Sequence, residues 1–103
     1  MTYNEFKHVV DSYEATKANS IAEGVFEPIG IHIEYINANG EEKKITIRNV
    51  NLSSFYPGCI DADCFSYYRA DEYGLLDGPE LNCATTSRRT FKLSRIMSAS
   101  VVI

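Results

Sequence analysis

One stretch organises the rest of the chain, and it reads Arg88-Arg89-Thr90-Phe91-Lys92-Leu93-Ser94-Arg95-Ile96. It holds four of the ten basic residues and no acidic residue. In a β-strand the side chains alternate between two faces, so Phe91 and Leu93 share one face. Arg89 and Arg95 fall on that same apolar face, where an unpaired charge would be too costly to bury. We therefore predict that the strand ends near these two arginines and that both emerge at the rim of a core.

The composition limits what this basic stretch can bind. A chain of 103 residues predicts one domain, residues 1–103, with a single modest core. Its net charge of -4 and its pI of about 5.1 argue against a general affinity for polyanions, because nonspecific nucleic-acid binding neutralises many phosphates at once. A local cationic rim on an acidic protein is instead suited to one anionic ligand.

Three features indicate a cytoplasmic protein that does not bind a membrane. The first residues lack a basic start followed by an apolar run, so we expect no signal peptide. No apolar segment approaches the roughly 20 residues of a membrane-spanning helix. The three cysteines are odd in number and lack a disulfide-like spacing, which is typical of reduced thiols.

The first 24 residues have the pattern of an amphipathic helix. Thr2 and Glu5 have the spacing of a capping box, in which a hydroxyl and a carboxylate each satisfy a free backbone donor. Gly24 is a suitable cap for the C-terminal end. A stripe of mostly apolar residues recurs at steps of three and four, and its members are Phe6, Val9, Val10, Tyr13, Lys17 and Ile21. We predict that this stripe packs on the core and that the charged residues face solvent.

From Pro28 onward the apolar period changes to two, which is typical of strands. The first strand places four apolar residues on one side, namely Ile29, Ile31, Ile33 and Tyr35. The next four residues, Asn37-Ala38-Asn39-Gly40, predict a hairpin connection, because Asn-Gly accepts the positive φ that tight turns require.

The return strand changes phase along its length. Ile45 and Ile47 have one parity, whereas Val50 and Leu52 have the other. A β-bulge or a sharp bend near Asn49 would account for the change, and small barrels use such bends to turn their corners.

The second half of the chain predicts three more strands. Ile60, Ala62 and Cys64 alternate with polar residues in a third strand. Residues 68–87 are predicted to form a polar connection, which is longer than most loops of compact domains. The basic strand follows, and a short β-branched tail, 98–103, could close the sheet. One helix followed by about five strands predicts a mainly β fold, a small five-stranded antiparallel barrel over residues 28–103.

We predict no catalytic residue, no metal site and no cofactor. The possible zinc ligands are Cys59, Cys64, Cys83 and His32. However, the chain has no Cys-x-x-Cys pair, and Cys59 and Cys64 would point to opposite faces of a strand. We expect Cys64 to be a small core residue. Asp61 and Asp63 share a face of the third strand, where we expect them to face solvent or pair with a nearby arginine.

The basic stretch also resembles a known family. Residues 89–96 read Arg-Thr-Phe-Lys-Leu-Ser-Arg-Ile and follow an upstream strand that reads Ile60-Asp61-Ala62-Asp63-Cys64-Phe65. This arrangement resembles the C-terminal half of the WYL domain, a bacterial regulatory module with an Sm-like or SH3-like β-barrel. The likeness covers about residues 29–96, with a weaker match over 40–52. Gly58-Cys59-Ile60 stands where the family has its naming tripeptide, and one helix stands where it has a helix-turn-helix.

The resemblance implies a non-enzymatic ligand-sensing or regulatory domain that binds a nucleotide or a short single-stranded nucleic acid. Matched by position, Arg89 and Arg95 are the residues associated with such ligands, and Phe91 is their anchor in the core. Arg88 and Lys92 lie on the same stretch and complete the predicted site, because guanidinium and ammonium groups bind phosphate. Aromatic neighbours of these groups could stack on bases.

A second interpretation follows from the acidic residues. The arginines could balance the acidic connection over 71–80 together with Asp61 and Asp63. The domain would then be a protein-protein interaction or dimerisation module without a small-molecule ligand. It would bind a regulatory protein partner or form a homodimer through an edge strand.

Overall fold

The computed structural model describes residues 1–24, 28–52, 58–69 and 81–102, with the backbone alone for 66–69 and 81–86. Within these ranges the chain forms one helix and five strands. The elements are α1 (Tyr3–Glu23), β1 (Gly30–Ile36), β2 (Glu42–Asn51), β3 (Cys59–Arg69), β4 (Leu81–Lys92) and β5 (Ile96–Val102), with a 3₁₀ turn (Leu93–Arg95) between β4 and β5. The prediction of a mainly β fold with an N-terminal helix is confirmed. In the ranges given, no helical segment has both the length and the apolar character of a membrane-spanning helix.

The ends of α1 lie where the capping signals predict them. The Glu5 backbone N–H donates to the Thr2 hydroxyl at 3.2 Å, and the Thr2 N–H donates to the Glu5 carboxylate at 3.0 Å. Gly24 ends the helix in the left-handed conformation, with φ 69°. These contacts satisfy backbone groups that have no partner inside the helix. They also hold the pKa of the Glu5 carboxyl below its usual value, chiefly through the backbone hydrogen bond at Thr2.

The buried face of α1 differs from the predicted stripe at its C-terminal end. Phe6, Val10 and Tyr13 are buried as expected, but Ile21 is 61% exposed and Ser20 is buried instead. Phe6, Tyr13 and Ser20 are spaced by seven residues, which is close to two full turns, so they share one line along the helix. Ile21 lies about 100° around the helix from Ser20. The Ser20 hydroxyl is satisfied because it donates to the Thr16 carbonyl at 2.8 Å.

The five strands form one antiparallel sheet in the order β4-β3-β2-β1-β5. The β1–β2 hairpin turns where it was predicted: the Gly40 N–H donates to the Asn37 carbonyl at 3.0 Å, and Gly40 has φ 79°. The phase change in β2 is a register shift opposite β3 between Arg48 and Asn51, and Asn49 has φ 52°. The predicted bulge near Asn49 is therefore confirmed. The tail pairs with β1 as β5.

The predicted connection over 68–87 was too long at both ends. Strand β3 continues to Arg69 and β4 begins at Leu81, and these two residues face each other in the ladder. Pairing between strands uses backbone groups, so polar side chains do not end it. The acidic part of this connection, residues 71–80, lies outside the described residues.

The sheet is strongly curved. Its edge strands, β4 and β5, are joined by three residues, although four spacings of about 4.8 Å would separate the edges of a flat five-stranded sheet. Tyr35 of β1 and Phe91 of β4 meet with ring centroids 5.2 Å apart, even though β2 and β3 lie between their strands. In the part of the chain that the structure describes, β4 and β5 share no backbone pairing. The sheet is therefore not closed, and the predicted barrel is not confirmed.

The core lies on the concave face of this sheet. Ile33, Ile47 and Ile60 are fully buried there, and α1 adds Phe6, Val10 and Tyr13 to the same cluster. The start of α1 is tied to the 3₁₀ turn, because the Met1 backbone nitrogen donates to the carbonyls of Leu93 and Ile96 at 3.0 and 2.9 Å. The helix thus packs beside the turn that carries Arg95.

Candidate functional site

The basic stretch ends its strand close to where the burial argument requires. Strand β4 stops at Lys92, and the 3₁₀ turn begins at Leu93. Phe91 and Leu93 are buried, whereas Arg89 is exposed and Arg95 is half-buried. Both arginines therefore leave the apolar face at its rim, as predicted.

Arg89 lies on two aromatic rings. Its carbon Cζ is 5.4 Å from the ring centroid of Phe91 and 5.9 Å from that of Tyr35. Its Nη1 also donates to the Tyr35 hydroxyl at 3.2 Å. The two rings meet edge to face at an interplanar angle of 73°. Cation–π contacts and this hydrogen bond fix the guanidinium at the rim, and Phe91 is the anchor in the core that was expected.

A pocket of about 320 Å³ opens beside this guanidinium. Its cationic lining residues are Arg89, Lys92 and Arg95, and the end of β1 and the hairpin turn contribute Tyr35 and Asn37. None of the ion pairs among the described side chains involves these three cations. Three cationic residues thus line the pocket, and no carboxylate of the described residues lies at ion-pairing distance from them.

Arg88 is separated from this pocket. Its Nη1 donates to the Asp63 carboxylate at 3.1 Å and to the Asn49 carbonyl at 3.2 Å. Asn49 Nδ2 donates to the other Asp63 oxygen at 2.8 Å. The hydrogen bond from Asn49, followed by that from Arg88, lowers the pKa of Asp63 below its ordinary value. The expectation that Asp63 pairs with an arginine is confirmed, and Arg88 is engaged on the opposite face of β4.

No protein-family model, curated protein or solved structure matches the chain. The resemblance to WYL domains therefore stays a prediction carried by the residues quoted above.

Tyr35 and Asn37 are among the lining residues that were not predicted as site residues. Parity places Tyr35 in the core, and the hairpin spacing places Asn37 in the turn. One sequence feature could have identified Tyr35: a tyrosine that is buried near the end of a strand needs a hydrogen-bond partner for its hydroxyl. The sequence cannot supply that partner, because Arg89 lies 54 residues away.

Cys59 and Cys64 do not line this pocket. Cys64 is fully buried in the core, as predicted, and burial raises the pKa of its thiol. A raised pKa disfavours the thiolate that nucleophilic chemistry needs. Cys59 is half-buried and pairs with Lys92 across the ladder. No three His, Cys, Asp or Glu side chains come together in the described ranges, and the side chain of Cys83 lies outside them.

Proposed function

We propose that the chain is a non-enzymatic, WYL-like ligand-sensing or regulatory domain that binds an anionic ligand at Arg89, Lys92 and Arg95. The ligand class is a nucleotide or a short single-stranded nucleic acid. One observation carries the proposal: the Arg89 guanidinium is fixed on Tyr35 and Phe91 at the mouth of a pocket with two further cations.

The geometry of Arg89 suits recognition of a phosphate. A guanidinium has five N–H donors in a rigid fork, and Tyr35 accepts from one of its two terminal nitrogens. Because packing on two rings fixes the group before a ligand arrives, little of its motion is lost on binding. The net negative charge of the chain weakens anion binding at its other surfaces. An anion is therefore expected to bind at this rim.

The proposal includes an Sm-like or SH3-like barrel and a cytoplasmic location. The barrel is supported by the strand order, by the strong curvature and by the three-residue turn that joins the two edge strands. The location is supported by the three cysteines, which are odd in number and lack a disulfide-like spacing.

Titration of the full chain with fluorescently labelled ATP and labelled oligodeoxynucleotides, at low and moderate salt, tests the proposal. The double variant Arg89→Gln/Arg95→Gln removes two charge-assisted contacts of about 1.5–3 kcal/mol each, so affinity should fall by at least about 100-fold. Arg88→Gln is the matched control, because Arg88 lies on the same strand but is engaged by Asp63. An equal loss of affinity in both variants would show that the ligand binds outside the pocket.

An interaction module is the second candidate, because β5 is an edge strand with no charged residue from Ile96 to Val102. Charges and prolines normally protect such edges from pairing with another chain. This candidate covers a homodimer or a regulatory protein partner. Light scattering after size exclusion would favour the homodimer if the mass doubles with concentration and Ser100→Lys abolishes the doubling.

A further inference from the structure

The aromatic rings of the pocket are closed to a ligand. Tyr35 is 7% exposed and Phe91 is 5% exposed. Each ring packs against the other, and the Arg89 guanidinium lies over both. A nucleobase needs an open ring face to stack on. The expectation that the aromatic neighbours of the arginines stack on bases is therefore not met by these two rings.

Among the described phenylalanine and tyrosine side chains, Tyr3 is the exposed one, with 46% of its surface accessible. Tyr3 lines a different pocket, which shares only Lys92 with the first. A ligand seated among Arg89, Lys92 and Arg95 would therefore have no aromatic platform from the described residues within its own pocket.

The polar side chains of the pocket offer few acceptors for a base edge. Recognition of an unpaired base uses acceptors as well as donors, because its Watson–Crick edge presents both kinds of group. The Asn37 side-chain oxygen already accepts from the backbone N–H groups of Asn39 and Glu41 at 3.0 and 2.9 Å. The Thr90 hydroxyl donates to Asp61 at 2.5 Å. The Tyr35 and Thr90 hydroxyl oxygens keep lone pairs that can accept. The charged donors of the pocket are the stronger groups, and these complement phosphate oxygens.

From this chemistry we infer that the pocket recognises the phosphate groups of its ligand and does not discriminate between bases. This inference rests on the proposed anion-binding function and specifies which part of the ligand is bound. The ligand class is a compact oligophosphate. When a nucleoside is attached to it, the nucleoside adds no specific contact with the pocket. Inorganic tripolyphosphate should then occupy the site as a nucleoside triphosphate does.

The test is displacement of fluorescently labelled ATP from the full chain, at constant ionic strength and with EDTA to remove divalent cations. The competitors are ATP, GTP, CTP, UTP, inorganic tripolyphosphate and adenosine. Base stacking on an aromatic ring strengthens binding by about 5- to 150-fold, so a site without it should bind the four nucleotides within about threefold of one another. Tripolyphosphate should compete within about tenfold of ATP, and adenosine should not compete at about 100 times the ATP concentration.

Several outcomes would overturn the inference. A preference above about tenfold for one base, or displacement by adenosine without displacement by tripolyphosphate, would show that the base is recognised. A Tyr3→Ala variant that loses ATP affinity but retains tripolyphosphate affinity would show the same. In each case loss of ATP binding by Arg89→Gln/Arg95→Gln would leave the proposed function standing. Absence of binding by every probe, labelled oligonucleotides included, would overturn both proposals.

Discussion

The guanidinium of Arg89 and the side chain of Tyr35 are joined by two contacts. Nη1 donates to the tyrosine hydroxyl at 3.2 Å, and Cζ lies 5.9 Å from the ring centroid. The two residues belong to β4 and β1, which are separated by two strands in the sheet. This contact exists because the sheet is curved, so the position of the cation depends on that curvature.

We expect Tyr35→Phe to weaken both stability and ligand binding. The substitution keeps the ring and its packing on Phe91 but removes the hydroxyl that accepts from Arg89. The free energy of unfolding should fall by about 0.5–1.5 kcal/mol, the net value of a typical hydrogen bond. Affinity for labelled ATP should fall by about 3- to 10-fold, because Arg89 is no longer fixed before binding. Urea unfolding and fluorescence titration measure the two effects.

Tyr13→Phe is the control for this prediction, because Tyr13 is a buried tyrosine on α1 that does not line the pocket. It should leave ATP affinity unchanged. Unaltered ATP affinity in Tyr35→Phe would show that the hydrogen bond does not position Arg89 for a ligand.

A pair of substitutions in α1 tests which helix face packs on the core. Phe6 is fully buried, so Phe6→Ala should lower the free energy of unfolding by about 3–5 kcal/mol. Ile21→Ala removes a side chain of similar apolar character that is exposed, and the change should stay within about 0.5 kcal/mol. Chemical denaturation of both variants measures the difference. Similar losses in the two variants would mean that Ile21 packs on the core.

The features that could be predicted from the sequence depend on residues close together in the chain. Thr2, Glu5 and Gly24 cap α1 through contacts within about a turn, and the bulge at Asn49 is visible in the parity of its neighbours. The extent of the β3–β4 ladder was underestimated because backbone pairing tolerates polar side chains.

The candidate site was only half predictable for a related reason. Arg88 and Arg89 are neighbours in sequence, and strand alternation places them on opposite faces, opposite Asp63 and Ala62. Strand alternation could therefore predict that the two arginines lie on opposite faces, but it could not identify Tyr35 as the partner of Arg89. That partner is set by the curvature of the whole sheet, which no local pattern encodes.

We expect Gly30→Ala to destabilise the protein because the space beside Gly30 is filled. A Cβ at this position would lie 2.7 Å from the Ile47 carbonyl oxygen and 2.9 Å from Cζ of Phe65. The Phe65 ring has a second close neighbour that limits its movement, since the Arg48 guanidinium lies 4.9 Å from its centroid. Overpacking of this kind lowers the free energy of unfolding by about 1–3 kcal/mol. Thermal and urea unfolding measure the loss, and Ser98→Ala at an exposed strand position is the control.

The last prediction concerns the pH dependence of stability that Asp63 contributes. Hydrogen bonds from Asn49 and then Arg88 lower the pKa of Asp63 in the folded state. A lowered pKa means that the unfolded chain binds the proton more readily, so the stabilisation is complete above the unfolded value of about 3.9. It is lost as the pH falls through the lower pKa of the folded state. We therefore expect the wild type to lose stability more steeply than Asp63→Asn below about pH 5.

Urea unfolding of both proteins between about pH 2 and 6 measures this difference. The other carboxylates are common to both proteins, so their contributions cancel in the comparison. Asn49→Gly tests the principal cause, because glycine accepts the positive φ of this position but removes the donor to Asp63. The pKa of Asp63 should then rise toward its ordinary value, and the pH dependence should become shallower. Parallel stability curves for the wild type and Asp63→Asn would mean that these hydrogen bonds do not favour the charged carboxylate in the folded protein.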